Sequence, residues 1–164
     1  MDVSEAETGV LRLEKTAVAA GDLVSDAASL FEDAAEEKGV ALSKSAEPGL
    51  AVLADRGRMR QVLANLLDNA VKHTPSGGRI ALEAMSDGAD ALFLVSDSGP
   101  GISPEDLPHV FDRLYRGDKS RSGRGLGLGL ALARAIVEAH GGTISAESSP
   151  KGALLKVRLP RLRR

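Results

Sequence analysis

Residues 123–129 read GRGLGLG and run directly into LALARAIVEAH at 130–140. Glycines stand at 123, 125, 127 and 129, immediately ahead of a helical pattern. A glycine inside a helix costs about 1 kcal/mol relative to alanine, so four here call for a use of bare backbone. Amide N–H groups at a helix start, approached closely by an anion, are such a use, and the helix dipole behind them adds to the attraction. The stretch is not the GxxxxGK phosphate loop, nor the GxGxxG dinucleotide fingerprint, and no strand directly precedes it. Alternating Gly and Leu suits a chain that packs leucines inward and presents amides outward.

Working outward, the third helix spans about Leu126 to His140 and stops at Gly141-Gly142. A last hairpin follows, Thr143–Glu147 and Ala153–Leu159, turning at Pro150-Lys-Gly152. Toward the N-terminus, a polar basic segment at 112–124 and a short helical piece near Pro104–Phe111 follow Asp97-Ser-Gly-Pro-Gly-Ile102. Another hairpin, Arg79–Ala84 and Ala91–Val95, turns around Ser86-Asp-Gly88. The second helix runs from about Arg56 to His73 and ends before Pro75. Val40–Ser45 and Leu50–Leu53 read as strands joined by Glu47-Pro-Gly49. A first helix, capped by Asp22, runs to about Lys38, with Leu23, Val24, Ala27, Leu30, Phe31 and Ala34 on one face and Gly39 as its stop. These elements predict an α+β fold, a two-layer α/β sandwich. Its sheet is mixed and mainly antiparallel, with three main helices on one face.

The chain has 164 residues, 43% hydrophobic and 27% charged, with net charge −2. That suits one core-forming domain and gives no bulk attraction to nucleic acid. Aromatics make up only 2%, so the core must be aliphatic and a base-stacking surface is disfavoured. There is no cysteine, which excludes disulfides and thiolate metal sites. No apolar run approaches the 18 residues or so of a membrane span, and the N-terminal MDVSEAETG is too acidic for a signal peptide. The basic end, residues 161–164, reads as a solvated tail.

Three further places carry chemistry. At about 100° per residue, Met59, Val62, Leu63, Leu66, Leu67 and Ala70 share the apolar face of the second helix, while Asn65, Asn69 and Lys72 cluster on its flank. Carboxamide oxygens suit a hydrated divalent cation and lysine supplies a charge for phosphate; the alternative is a solvated helix edge. Asp97 ends an apolar strand and is followed by glycines. An acid there can accept from an exocyclic amine while the glycines let a flat ring lie on backbone; the alternative is a simple turn. Segment 112–124 holds five cations against two aspartates, as a lid over a nucleotide would, or as an exposed linker would.

Taken together, NxxxN with Lys72, DSGPGI, FDRLYR, GRGLGLGLALARAIVEAHGG and KGALLKVRLP resemble the N, G1, F and G2 boxes and final hairpin of the catalytic ATP-binding domain of bacterial sensor histidine kinases. The resemblance runs from about Gly21 to Pro160. It implies the Bergerat ATP-binding fold, shared with gyrase, the Hsp90 chaperones and the MutL proteins. It also implies ATP and Mg2+ as ligands. By position, Asn69 would help coordinate magnesium with Asn65 beside it, Lys72 would meet phosphate, and His73 would lie against the nucleotide. Asp97 would accept from the adenine amino group, with Gly99, Gly101 and Ile102 shaping the pocket. Arg116 would reach the γ-phosphate, with Arg113 and Tyr115 in the same lid. Gly125, Leu126, Gly127 and Gly129 would wrap the phosphates, and Leu128 and Leu155 would line the adenine pocket. The sequence departs from the family at Arg124, where Ser or Thr is usual, at Leu155, where an aromatic is common, and at His73 in place of tyrosine.

The implied activity is transfer of the γ-phosphoryl group to a histidine on a separate dimerisation domain, with Asn65, Lys72 and Arg116 in the catalytic roles. His73, His109 and His140 all lack the context of that acceptor. Residues 1–20 resemble the end of an upstream dimerisation helix, 21–160 the catalytic domain. The expected partners are the chain's own phosphoacceptor domain and a cognate response regulator, with no nucleic acid and no membrane contact. The expected setting is cytoplasmic, with the fragment monomeric and the parent a homodimer. The competing readings are a self-sufficient ATPase, an anti-sigma serine kinase and a non-catalytic nucleotide-binding regulator.

Overall fold

In a computed structural model that describes residues 12–112 and 128–162, the chain runs β1 (Thr16–Ala19), α1 (Ala20–Ser29), α2 (Glu32–Lys38), β2 (Ala41–Ala46), β3 (Ala51–Ala54), α3 (Arg56–His73), β4 (Arg79–Asp87), β5 (Asp90–Asp97), a 3-10 turn (Leu107–His109), α4 (Leu128–Ala139), β6 (Thr143–Ser149) and β7 (Gly152–Pro160). Five strands form one sheet in the order β2-β4-β5-β7-β6, and β1 pairs with β3 in a separate ribbon.

Period-two alternation decides which side of the large sheet is covered. Leu82, Val95 and Leu155 lie in register across β4, β5 and β7, as do Ala84, Phe93 and Val157. All six are buried. The helices cover this side, with α3 packed between α1 and α4. Its stripe of Met59, Val62, Leu63, Leu66 and Leu67 is fully buried, and each such side chain removed from water stabilises the fold by about 1.5–3 kcal/mol. The expected two-layer sandwich, with helices on one face of a mixed and mainly antiparallel sheet, is the architecture observed.

Four details differ from the sequence reading. The expected first helix is two helices, broken at Leu30-Phe31, where Leu30 N–H and Phe31 N–H bond back to Ala27 and Ala28. The chain changes direction there, so Leu30 is exposed and Ala35, not Ala34, is buried. Ala19, not Asp22, stands at the start of α1. The early strands do not pair with each other: β2 runs parallel to β4, and β3 pairs antiparallel with β1, a strand the sequence did not announce. No helix among the described residues is long and apolar enough to cross a membrane.

Candidate nucleotide site

α3 begins at Asp55, whose carboxylate accepts from Arg58 N–H at 3.0 Å, the usual N-cap bond. The helix is 18 residues long and carries Asn65, Asn69 and Lys72 along one flank. Asn65 Nδ2 donates to the Gly129 carbonyl at 3.0 Å. A carbonyl can only accept, so the amide nitrogen must face it, which leaves Asn65 Oδ1 turned to the other side. The bond ties the amide flank of α3 to the first turn of α4, where the glycine run ends. Asn69 is buried, and its Oδ1 has no hydrogen-bond partner among the described residues. A buried oxygen left in that condition costs about 1–3 kcal/mol and marks a place where a cation or ligand donor would be satisfied. No three His, Asp or Glu side chains gather as a metal cluster among the described residues. The amide oxygens are therefore what this flank offers a hard cation, which suits magnesium retaining water and phosphate ligands. Lys72 Nζ pairs with Asp68 at 3.0 Å, one turn back on its own helix, with both side chains near half exposed.

Asp97 is the last residue of β5 and follows Ala91, Phe93 and Val95 on the helix-covered side, so the pleat itself carries the carboxylate to the rim of the core. Its Oδ1 accepts from Gly99 N–H at 2.9 Å and is 3.4 Å from Ala153 N. Oδ2 makes no hydrogen bond among the described residues, and so keeps its acceptor capacity. A Cβ on Gly99 would lie 2.7 Å from the His73 carbonyl oxygen, and one on Gly152 would collide with the Asp97 carbonyl. Bare backbone is what brings the end of α3, the loop after β5 and the β6–β7 turn together here. Gly101 has φ +82° and its Cβ position is filled by the Ser149 carbonyl; Ile102 N–H donates to Ser148 Oγ at 2.5 Å. Asp97 lines a hollow of about 270 Å³ with Ser148, Ser149, Lys151 and Gly152, and another of about 350 Å³ with Arg79 and Ser96.

His73 sits at the end of α3, largely exposed as a residue. Desolvation of its ring lowers the imidazole pKa below the ordinary value; Asp97 opposes this, and Lys38 and Lys72 reinforce it. Leu155 is buried two residues along β7 from Ala153, the residue paired with Asp97, and so forms core beneath the acid. The contacts bring Asn65 to Gly129, and bring Asp97 and Gly99 to the end of α3, with Gly101 against the β6–β7 turn and Leu155 beneath. Arg113, Tyr115, Arg116, Gly125, Leu126 and Gly127 lie outside the described residues, as does the side chain of Leu128.

Several residues were not singled out from sequence. Thr74, fully buried, has a hydroxyl without a partner among the described residues. Asp55 also binds Glu14 N–H through Oδ2 at 3.0 Å, and its own N–H donates to His140 Nε2 at 3.1 Å. Burial alone would raise the Asp55 pKa, but the N–H donors of Glu14 and Arg58 and the charge of Arg58 outweigh it and lower the pKa. An Asp directly before an apolar-periodic run was a legible cap signal; the His140 contact, 85 residues away, was not.

Comparison with known proteins places the chain in a family. The model of the family described as histidine kinase-, DNA gyrase B-, and HSP90-like ATPase matches residues 54–163. The sensor protein SphS of Synechococcus elongatus is 41% identical over 119 residues, covering 66% of this chain and 29% of that protein. The signal transduction histidine-protein kinase BaeS of Escherichia coli K12 is 35% identical over 161 residues, covering 96% and 34%. The chain thus spans about a third of the length of these curated relatives. Among solved structures, the catalytic domain of histidine kinase ThkA superposes with TM-score 0.80 at 28% identity, covering 90% of this chain and 96% of that one. ThkA has also been solved in complex with the response regulator protein TrrA. With a family model matching residues 54–163 and a relative 35% identical across nearly the whole chain, the chain belongs to the histidine kinase-, DNA gyrase B-, and HSP90-like ATPase family.

Proposed function

We propose that this chain is the catalytic domain of a sensor histidine kinase, which binds Mg-ATP and presents the γ-phosphoryl group to a histidine on a separate dimerisation domain. The observation that carries this reading is the pairing of two amides on α3, one with a buried unpartnered oxygen, with an acid whose Oδ2 is open at the end of β5. In it, Asp97 Oδ2 accepts from the adenine amino group while Gly99 N–H keeps the carboxylate in place. Asn65 and Asn69 direct their oxygens toward the polyphosphate and its metal. Bound there, magnesium would neutralise phosphate charge. Lys72 leaves Asp68 to meet phosphate, an exchange between two half-exposed partners that costs little, since such pairs are worth about 0–1 kcal/mol. Arg116 would add charge from the lid.

An amide at position 65 favours the kinase over a self-sufficient ATPase. Asn cannot take a proton from water near neutral pH, and the ATPases that the fold resembles have a glutamate there. A cognate response regulator is the expected next acceptor, by analogy with the ThkA complex, in a cytoplasmic setting with the parent protein a dimer. Titration calorimetry tests the adenine contact: Asp97→Ala should lose measurable adenine-nucleotide binding while retaining its fold by circular dichroism. Unchanged affinity would remove Asp97 from the site.

A further inference from the structure

α3 ends in an unusual way. The last carbonyls of a helix have no partner within it. That of Ala70 is taken by Thr74 N–H at 3.0 Å. The next, on Val71, would look to residue 75, but Pro75 has no N–H to give. Lys38 fills the gap from outside the helix: its Nζ donates to the Val71 carbonyl at 2.6 Å and to the Lys72 carbonyl at 3.1 Å. A cation at a helix C-terminus is also favoured by the dipole.

The lysine is not a loose surface arm. It is the last residue of α2, directly before Gly39, which ends α2 with φ 79°. Val40 N–H returns to Ala35, Gly77 N–H donates to the Gly39 carbonyl at 2.7 Å, and Ala41 N–H to the Gly78 carbonyl at 3.0 Å. The corner after α2 and the turn after α3 are therefore knitted together on both sides of the ammonium.

We propose that Lys38 is a positioning residue for nucleotide binding: it clamps the last turn of α3 and so fixes where Lys72, His73 and the adjoining Gly99 loop stand. This rests on the nucleotide reading above. In this role Lys38 acts through those residues, with two of its three N–H donors held by the carbonyls. Methionine at 38 would keep the aliphatic stem and lose the donor, leaving the Val71 carbonyl without a substitute. Arginine would keep a cationic donor at the helix end.

The test uses the full chain with ADP as probe, and compares wild type, Lys38→Met and Lys38→Arg by calorimetry and by amide hydrogen exchange without ligand. In Lys38→Met, protection at Lys72, His73 and Thr74 should fall while that at Val62–Leu63 stays, and ADP affinity should drop about tenfold. Lys38→Arg should restore both to within about twofold of wild type. Unchanged exchange in Lys38→Met would overturn the clamp. Altered exchange with unaltered ADP affinity would overturn its role in binding. A wild-type chain that binds no ADP would overturn the nucleotide reading instead, and the exchange data would still decide whether the clamp exists.

Discussion

His140 shows how one residue is fixed by its partners. Its Nδ1 lies 2.8 Å from the Ile136 carbonyl and must donate; its Nε2 lies 3.1 Å from Asp55 N and must accept. Only the neutral ring satisfies both. Desolvation lowers the imidazole pKa, with Lys15 acting in the same sense and the Ile136 carbonyl and Asp55 opposing. Because the folded pKa lies below the unfolded one, the stabilisation is full above about pH 6.5 and declines as pH falls below it; His73 contributes in the same direction. His140→Gln, which cannot titrate, should be less stable than wild type at pH 7.5 by about 1–2 kcal/mol. It should lose less stability between pH 7.5 and 5.5 when both are followed by urea unfolding. An equal or steeper loss in the variant would place the pH dependence elsewhere. From sequence, His140 was only a helix end.

Among the elements, α3 was the most legible. Its apolar period, the proline two residues past its end and the amide flank were all local, and the helix observed is the one expected. α1 and α2 were harder, because the apolar spacing through Leu30, Phe31 and Ala34 continues smoothly while the backbone does not. Ser29 Oγ bonds Asp26 O, and the N–H groups of Leu30 and Phe31 turn back one residue early. The cap of α3 can be tested on its own. Asp55→Ala removes the acceptor for Arg58 N–H and frees Glu14 N–H, and should cost about 1 kcal/mol in chemical denaturation. A cost near zero would mean that the carboxylate is dispensable as cap.

Across the whole molecule, the hairpins β4–β5 and β6–β7 were readable because short turns join them: Gly88-Ala89 between Asp87 and Asp90, and Pro150-Lys151 between Ser149 and Gly152. The parallel β2–β4 pair and the β1–β3 ribbon were not, since each is closed across intervening helix and strand and no local pattern sets such a register. The site divides in the same way. Residue types and spacing announced the amides, the acid and the glycines. The junction of Asp55 with His140 and the hold of Lys38 on α3 exist only once distant segments meet. On the scale of function, the chain with a histidine-bearing dimerisation domain and γ-labelled ATP should yield acid-labile, base-stable phosphohistidine. Acid-stable phosphoserine would support the serine-kinase reading instead.

The most direct measurement is a crystal structure of this chain with a non-hydrolysable ATP analogue and magnesium. We expect the adenine amino group on Asp97 Oδ2 and the triphosphate with its metal between Asn65, Asn69 and the glycine run that opens α4. A nucleotide seated elsewhere, or no binding at millimolar concentration, would contradict it.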